Sequence, residues 1–429
     1  MSKRLGEIAY VTKLAGFEHT NYIQGNCSHS PKSKSDIPLF IGKTVRNGQI
    51  DTNFDWYIPK SISDKLERSK LTKKCIVLPY VGTLGDMAIF DGTYDAHLGS
   101  NIAKIELNKN CGYSEEYIYY FLKSPYGRSL LLRDMQGAVQ KNITMEAIRK
   151  VELPEVSSSE QEKIVAILKL LDDKIILNNA IKQRLEDISK NLYNYWFLQF
   201  DFPNESGNPY SSSGGELVWN NQLKRNIPAK WSVQTIERLC DVVDCLHSQK
   251  PDKVYEDEQL YLLQLENLID LGLVDTCNKY YVSQNMYDLW TSKIEVSSGD
   301  LVITNAGRVG SVSRIPTNIK AGIGRNMTAI RPKAIPTFFM YYFFKSPDFA
   351  SQMRSNTDSG AFFGSLNVRG IKQLVLTIPD KGCDILQRFD EIVCPLRLKI
   401  EELHVENSEL QKLRDWLLPM LINGQVTVK

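Results

Sequence analysis

The stretch Ile164-Val165-Ala166-Ile167-Leu168-Lys169-Leu170-Leu171-Asp172-Asp173-Lys174-Ile175 opens a stripe that continues through Asn178, Lys182, Leu185, Ile188 and Leu192. From Ile164 the stripe residues step by three or four, the period of a helix that packs along one seam. Moving 225 positions along the chain gives a second stripe, Phe389, Val393, Leu396, Ile400, Leu403, Asn407, Leu410, Leu413 and Leu417. The repeat extends upstream of both stripes. Phe121-Leu122-Lys123-Ser124-Pro125 is echoed by Phe343-Phe344-Lys345-Ser346-Pro347, Gly82-Thr83-Leu84-Gly85 by Gly307-Arg308-Val309-Gly310, and Leu153-Pro154 by Ile378-Pro379. The pattern is module, long helix, module, long helix. Such a pseudo-twofold molecule suits a ligand with two halves.

The chain has 429 residues, 42% hydrophobic and 24% charged, enough for two modules with real cores. No apolar run approaches the roughly 20 residues of a membrane span, and Met1 to Tyr10 lack a signal-peptide core. Eight scattered cysteines without a CxxC predict reduced, buried thiols in a cytoplasmic protein. Cys240, Cys245 and His247 lack a matching second pair of ligands, and no metal is expected. The net charge is only +2, but its distribution is uneven. Residues 1–150 hold 21 basic against 15 acidic side chains and residues 300–380 hold 10 against 4, while residues 203–299 are acidic, with 8 against 14. Positive charge concentrated on the modules is the footprint of phosphate contact.

A first module is expected over residues 1–155, with strands at Ile76–Val81 and Asn101–Leu107. A helix is predicted from Ser114 to Leu132, Ser114 acting as N-cap. Ser159-x-x-Glu162 reads as the capping box of a long helix within residues 156–202, reaching about Phe200. Some 40 residues would make a rod of about 60 Å. Pro, Ser and Gly mark residues 203–230 as a linker. A second module is expected over 231–380, with strands at Leu301–Thr304 and Met327–Ile330, then a closing helix within 381–429 ending at Asn423-Gly424. Pro395 predicts a kink or a late start in that helix.

Several stretches resemble the central conserved region of the specificity subunit of type I restriction–modification enzymes. These are Leu153-Pro154, Glu160 to Leu168, Leu171-Asp172-Asp173-Lys174-Ile175, Leu177-Asn178, Trp196-Phe197, Phe200 to Pro203, Ser212 to Glu216, and Ile227-Pro228 before Trp231. The order and size of the modules and helices match that family along the whole chain. The resemblance implies an α+β fold: two pseudo-repeated α/β target-recognition domains separated by two long antiparallel coiled-coil helices. It further implies that each domain reads one half of a bipartite double-stranded DNA target. Two methyltransferase subunits, joined by restriction–translocase subunits, would assemble on the helices. The second half departs from the pattern at Pro395 and at Cys383-Asp384-Ile385-Leu386, where the usual Glu-Gln is missing.

The residues themselves offer no chemistry of bond making. Gly42-Lys43-Thr44 looks like the tail of a phosphate loop, but Ile37 stands where the motif needs glycine. Asn208-Pro209-Tyr210 lacks one proline of the adenine-methyltransferase tetrapeptide, and Asp172-Asp173-Lys174 reads as a solvated helix edge beside Ile175. The five histidines form no local constellation. No nucleophile, base and anion hole come together, so a non-catalytic subunit without cofactor is expected.

What remains is recognition, in which Arg, Lys, Asn and Gln reach base edges while other polar groups hold phosphates. The candidates in the first module are Lys43, Arg46, Asn47, Gln136, Gln140, Lys141 and Asn142. Those in the second are Asn305, Arg308, Arg325, Asn326, Ser359, Ser365, Asn367 and Arg369. The paired Gly-Ala-x-x-x-[Asn/Ser]-[Ile/Leu] at Gly137–Ile143 and Gly360–Leu366 points to two equivalent loops. Two other classes compete with this reading. A stand-alone methyltransferase or nuclease would show activity as a purified chain, and a coiled-coil scaffold would ignore duplex DNA.

Overall fold

The two stripes become two long helices in the computed structural model, a central helix at Ser158–Tyr193 and a closing helix at Ile385–Ile422. The structure describes residues 3–46, 48–133, 135, 141–246, 250–254, 260–333, 335–356, 366–380 and 384–426. The chain divides into two compact units, Met1–Ile176 with Asn407–Lys429, and Leu177–Glu406. Each long helix contributes a segment to each unit, and within each unit the two segments run antiparallel. In the first, Ile164 and Leu168 share a core with Leu418, Leu421 and Ile422, and Asp172 meets Arg414. In the second, Asn178 meets Glu406, Glu186 meets Arg397, and Tyr193 lies edge-on to Phe389.

The modules repeat one strand plan. In the first unit an antiparallel sheet has the order Ala9–Lys13, Ile102–Leu107, Cys75–Pro79, Ala88–Phe90. In the second the order is Cys240–Asp244, Met327–Pro332, Leu301–Thr304, Val312–Arg314. Beside each lies a parallel pair with an antiparallel neighbour. These are Ile37–Phe40 with Ala96–Leu98 and Tyr57–Ile58 in one unit, and Tyr261–Leu263 with Gly322–Ile323 and Tyr280–Tyr281 in the other. Parallel pairing needs a long crossover. The same crossover occurring twice therefore marks the repeat more firmly than a shared hairpin would.

One helix of each module is buried almost all round: Tyr117 to Leu122 of Glu115–Lys123, and Phe338 to Phe343 of Thr337–Phe343. Ser114 caps the first as expected, its Oγ accepting from the Tyr117 N–H. The helix predicted to reach Leu132 stops at Lys123, and a second one, Pro125–Arg133, follows. The cause is Pro125, which pushes Ser124 into extended backbone (φ −62°, ψ 154°). The capping box of the central helix sits two residues earlier than predicted. Ser157 Oγ and Glu160 Oε2 lie 2.7 Å apart, and each accepts from the other's backbone N–H. The closing helix runs through Pro395 rather than starting late, and ends at Ile422, with Gly424 (φ +66°) in left-handed backbone just beyond it. Residues 203–230, read as a linker, include paired strands at Leu217–Asn220 and Arg225–Pro228.

The missing Glu-Gln of the second half has a structural counterpart. In the first unit the buried Gln161 accepts from the Ser114 N–H and donates to Gly112 O and Val156 O, fastening the module to the central helix. In the second unit Asp390 Oδ1 accepts from the Phe338 N–H at 2.9 Å, capping the buried module helix from the closing helix. The fastening survives with a different acceptor.

The solvated edge predicted at Asp172 is not found. Asp172 accepts from the Tyr120 hydroxyl at 2.9 Å and from Arg414 Nη1 at 2.7 Å, with Lys123 Nζ 3.8 Å away. Asp173, paired with Lys169, and Lys174 are exposed as that reading expects. The second unit repeats this cluster around Glu186, which accepts from Tyr342 Oη at 2.9 Å, Lys345 Nζ at 2.7 Å and Arg397 Nη1 at 2.5 Å. In both clusters the lysine also donates to a neighbouring tyrosine, Lys123 to Tyr119 and Lys345 to Tyr341. Burial opposes the charge on Glu186, but Arg397 and Lys345 outweigh it and hold its carboxyl below the ordinary 4.5.

Breaking this buried pair should be costly. Arg397→Met leaves a carboxylate whose side chain is 5% exposed with Lys345 and Tyr342 alone, and we expect a loss of about 3 kcal/mol in urea unfolding. Arg414→Met should cost less, because Asp172 keeps 18% exposure. A depressed pKa stabilises the fold above the unfolded-state value, and the benefit fades as pH falls through the folded-state one. Glu186→Gln should therefore flatten the decline of melting temperature below pH 4.5 relative to the parent.

Candidate nucleic-acid interface

In the first unit, backbone hydrogen bonds stitch four loop segments into one surface. Gly99 N–H donates to Phe40 O, Gly42 N–H to Ser100 O, Tyr80 N–H to Asn101 O, and Ile143 N–H to Tyr80 O. Val81 and Asn142 form a bridge beside them. Gly82 (φ +88°) and Gly85 (φ +85°) shape the loop between, a conformation that costs a glycine nothing. Asn101 adopts the same left-handed region (φ +63°), which Asn tolerates better than most side chains.

The second unit builds the corresponding surface. Asn305 N–H donates to Asn326 O, Leu366 N–H to Asn305 O, and Gly324 N–H to Leu263 O. Gly307 (φ +76°) and Gly310 (φ +80°) take the places of Gly82 and Gly85, and Asn326 (φ +62°) that of Asn101. The correspondence holds at the same offset of 225 as the stripes.

The predicted residues divide by what their side chains already do. Arg46 and Lys141 are exposed in the first unit, and Arg325, Asn326 and Arg369 in the second. Lys43 pairs with Asp55 at 2.8 Å, both about half exposed. Asn142 is half-buried by its bridge to Val81. The Asn305 amide is committed to the Thr328 hydroxyl, so it supports the turn and has little left for a ligand. Arg308 donates to Leu268 O and lies 3.8 Å from Asp270, gripping the adjacent loop while remaining 55% exposed. Asn367 caps the helix Val368–Gln373 by accepting from the Gly370 N–H. Asn47, Gln136, Gln140, Ser359 and Ser365 lie outside the described residues, as does most of the paired Gly-Ala loops.

Sequence reading missed Ser100 and Asn101, although subtracting 225 from Arg325-Asn326 names them. It also missed Lys13, which lies 4.3 Å over the Tyr80 ring at the same surface. Among the described residues no group of three His, Cys, Asp or Glu could hold a metal ion. Burial pushes the thiols of Cys75 and Cys240 up to about 12, so they stay protonated inside the modules.

The comparisons agree with this architecture. The family described as "Type I restriction modification DNA specificity domain" matches residues 4–187. The chain is 24% identical to the MjaIX specificity subunit of Methanocaldococcus jannaschii, covering 95% of this chain and 91% of that one. It is 21% identical to the HindI specificity subunit of Haemophilus influenzae, over 69% and 73% of the two chains. The crystal structure of a type I restriction–modification S subunit from M. genitalium superposes with a TM-score of 0.54 at 16% identity, covering 98% of this chain and 95% of the other. That likeness concerns the fold. The matched segment ends inside the central helix. Over residues 4–187 the chain matches the DNA specificity domain of type I restriction–modification systems, and along most of its length it is similar to the specificity subunits of such systems.

Proposed function

We propose that each module reads one half of a bipartite DNA target and that the two helices set the distance between the readings. The observation that carries this is the duplicated surface, in which Gly82, Gly85 and Asn101 recur as Gly307, Gly310 and Asn326 with the same backbone conformations. Exposed Arg46 and Lys141 on one copy, and Arg325 and Arg369 on the other, supply phosphate contacts or reach base edges. The chain supplies recognition and leaves methyl transfer and cleavage to other subunits.

The partner surface follows from what the helices leave uncovered. Leu170 and Trp416 are 70% and 58% exposed in the first unit, and Leu177, Ile188 and Val405 are 55–59% exposed in the second. Large apolar side chains rarely cluster in water on a monomer without purpose. We assign them to docking of the methyltransferase subunits, whereas Ile175 (7% exposed) belongs to the inner seam.

Three outcomes test this reading. Exchanging residues 1–150 for the equivalent module of a relative should change one half of the methylated motif and leave the other half and the spacing intact. Methylome sequencing of cells carrying the exchange reads this directly, and alteration of both halves would refute the division. Removing one phosphate-contacting cation, for example by Arg46→Ala or Arg325→Ala, should weaken binding to any duplex and lower the slope of log K against log salt by about one. Trp416→Ala or Leu170→Ser should reduce co-purification with the methyltransferase subunit while leaving the melting temperature near that of the parent.

A further inference from the structure

In the second unit a side chain of the closing helix reaches into the loop that borders the reading surface. Arg397 is wholly buried, and its guanidinium is divided between two tasks. Nη1 holds Glu186 of the central helix, and Nη2 donates to the backbone oxygen of Leu271 at 2.9 Å. The Tyr341 hydroxyl donates to the same oxygen at 2.9 Å and is itself held by Lys345 at 3.0 Å. Leu271 needs holding, because it is a branched residue in left-handed backbone (φ +59°), where side chains crowd the following carbonyl. Next to it Gly272 (φ +64°) lies so close to Tyr341 that a Cβ there would fall 2.2 Å from the hydroxyl. The other end of the same short loop is gripped by Arg308, which donates to Leu268 O and lies near the fully exposed Asp270.

We propose that Arg397 and Tyr341 are positioning residues for DNA reading by the second module: from the helix pair they fix the loop Leu268–Val274 on which Arg308 rests. The loop's strained residue is tied at its carbonyl by two donors that belong to the helical cluster. The orientation of Arg308 is thereby set by the same elements that set the helix pairing. The proposal rests on the reading of DNA by this module given above. It adds residues that touch no DNA and still decide the sequence read.

The test uses the full chain with Tyr341→Phe, which keeps the ring and removes one donor, and Arg397→Lys, which keeps the charge toward Glu186 and removes the fork. Hydrogen–deuterium exchange should show faster exchange at residues 268–274 in both variants, with the closing helix protected as in the parent. Unchanged protection of that loop would overturn the proposal. Selection from a randomised duplex library should then show discrimination at one half-site falling about tenfold, with the other half-site keeping its preferences. Equal loss at both half-sites together with a lowered melting temperature would mark the residues as merely structural and would also overturn it. If the parent chain selects no bipartite motif, the DNA-reading assignment fails. The exchange measurement still decides separately whether the helices hold the loop.

Discussion

An ionised carboxylate inside a protein is tolerated only when cations and hydroxyl donors replace the water it has lost. Glu186 meets that condition by drawing on three side chains at once: Arg397 from the closing helix, and Tyr342 and Lys345 from the second module. Asp172 does the same in the first unit with Arg414, Tyr120 and Lys123. Each cluster ties a helix pair to the module beside it in a single arrangement. An apolar seam alone tolerates sliding by a turn, whereas a buried charge with matched partners does not. Register within each helix pair, attachment of the module beside it and, in the second unit, the Arg397 grip on the Leu271 carbonyl all draw on these two carboxylates.

Much of this was legible because it is periodic or repeated. The stripes gave the helices, the offset of 225 gave two modules with one plan, and Gly82, Gly85, Gly307 and Gly310 sit in loops whose backbone requires them. Short-range chemistry misled in places where two signals competed. Ser159-x-x-Glu162 and Ser157-x-x-Glu160 are equally good capping boxes on paper, and the structure uses the earlier one. Pro125 outweighed the helical spacing around it, while Pro395 sits inside an unbroken helix. The charged clusters were illegible for a different reason. Asp172 and Arg414 lie 242 positions apart, and no local pattern distinguishes a buried acid on a helix from a solvated one. Even so, Tyr119-Tyr120-x-x-Lys123 and Tyr341-Tyr342-x-x-Lys345 were a paired signal present in the sequence.

Recognition residues are legible as types rather than as roles. Asn305 looked like a base reader and serves as a turn support, and Arg308 divides itself between solvent and a loop carbonyl. Arg46, Lys141, Arg325 and Arg369 keep their charges exposed. The difference lies in whether a nearby backbone oxygen or hydroxyl claims the side chain first, which depends on tertiary neighbours.

The two clusters are not mirror images in charge. Both carboxylates, Asp172 and Glu186, ride on the central helix, and both guanidinium groups, Arg397 and Arg414, on the closing helix. A strictly duplicated chain would carry one of each on each helix, so the repeat has diverged into an acidic strand of the pair and a basic one. Were two central helices from separate copies to meet in the same register, acid would face acid at both positions. Two closing helices would set arginine against arginine. In a low-dielectric seam such like-charge contacts are strongly repulsive, so the charge pattern selects a central helix against a closing one and rejects two helices of the same kind.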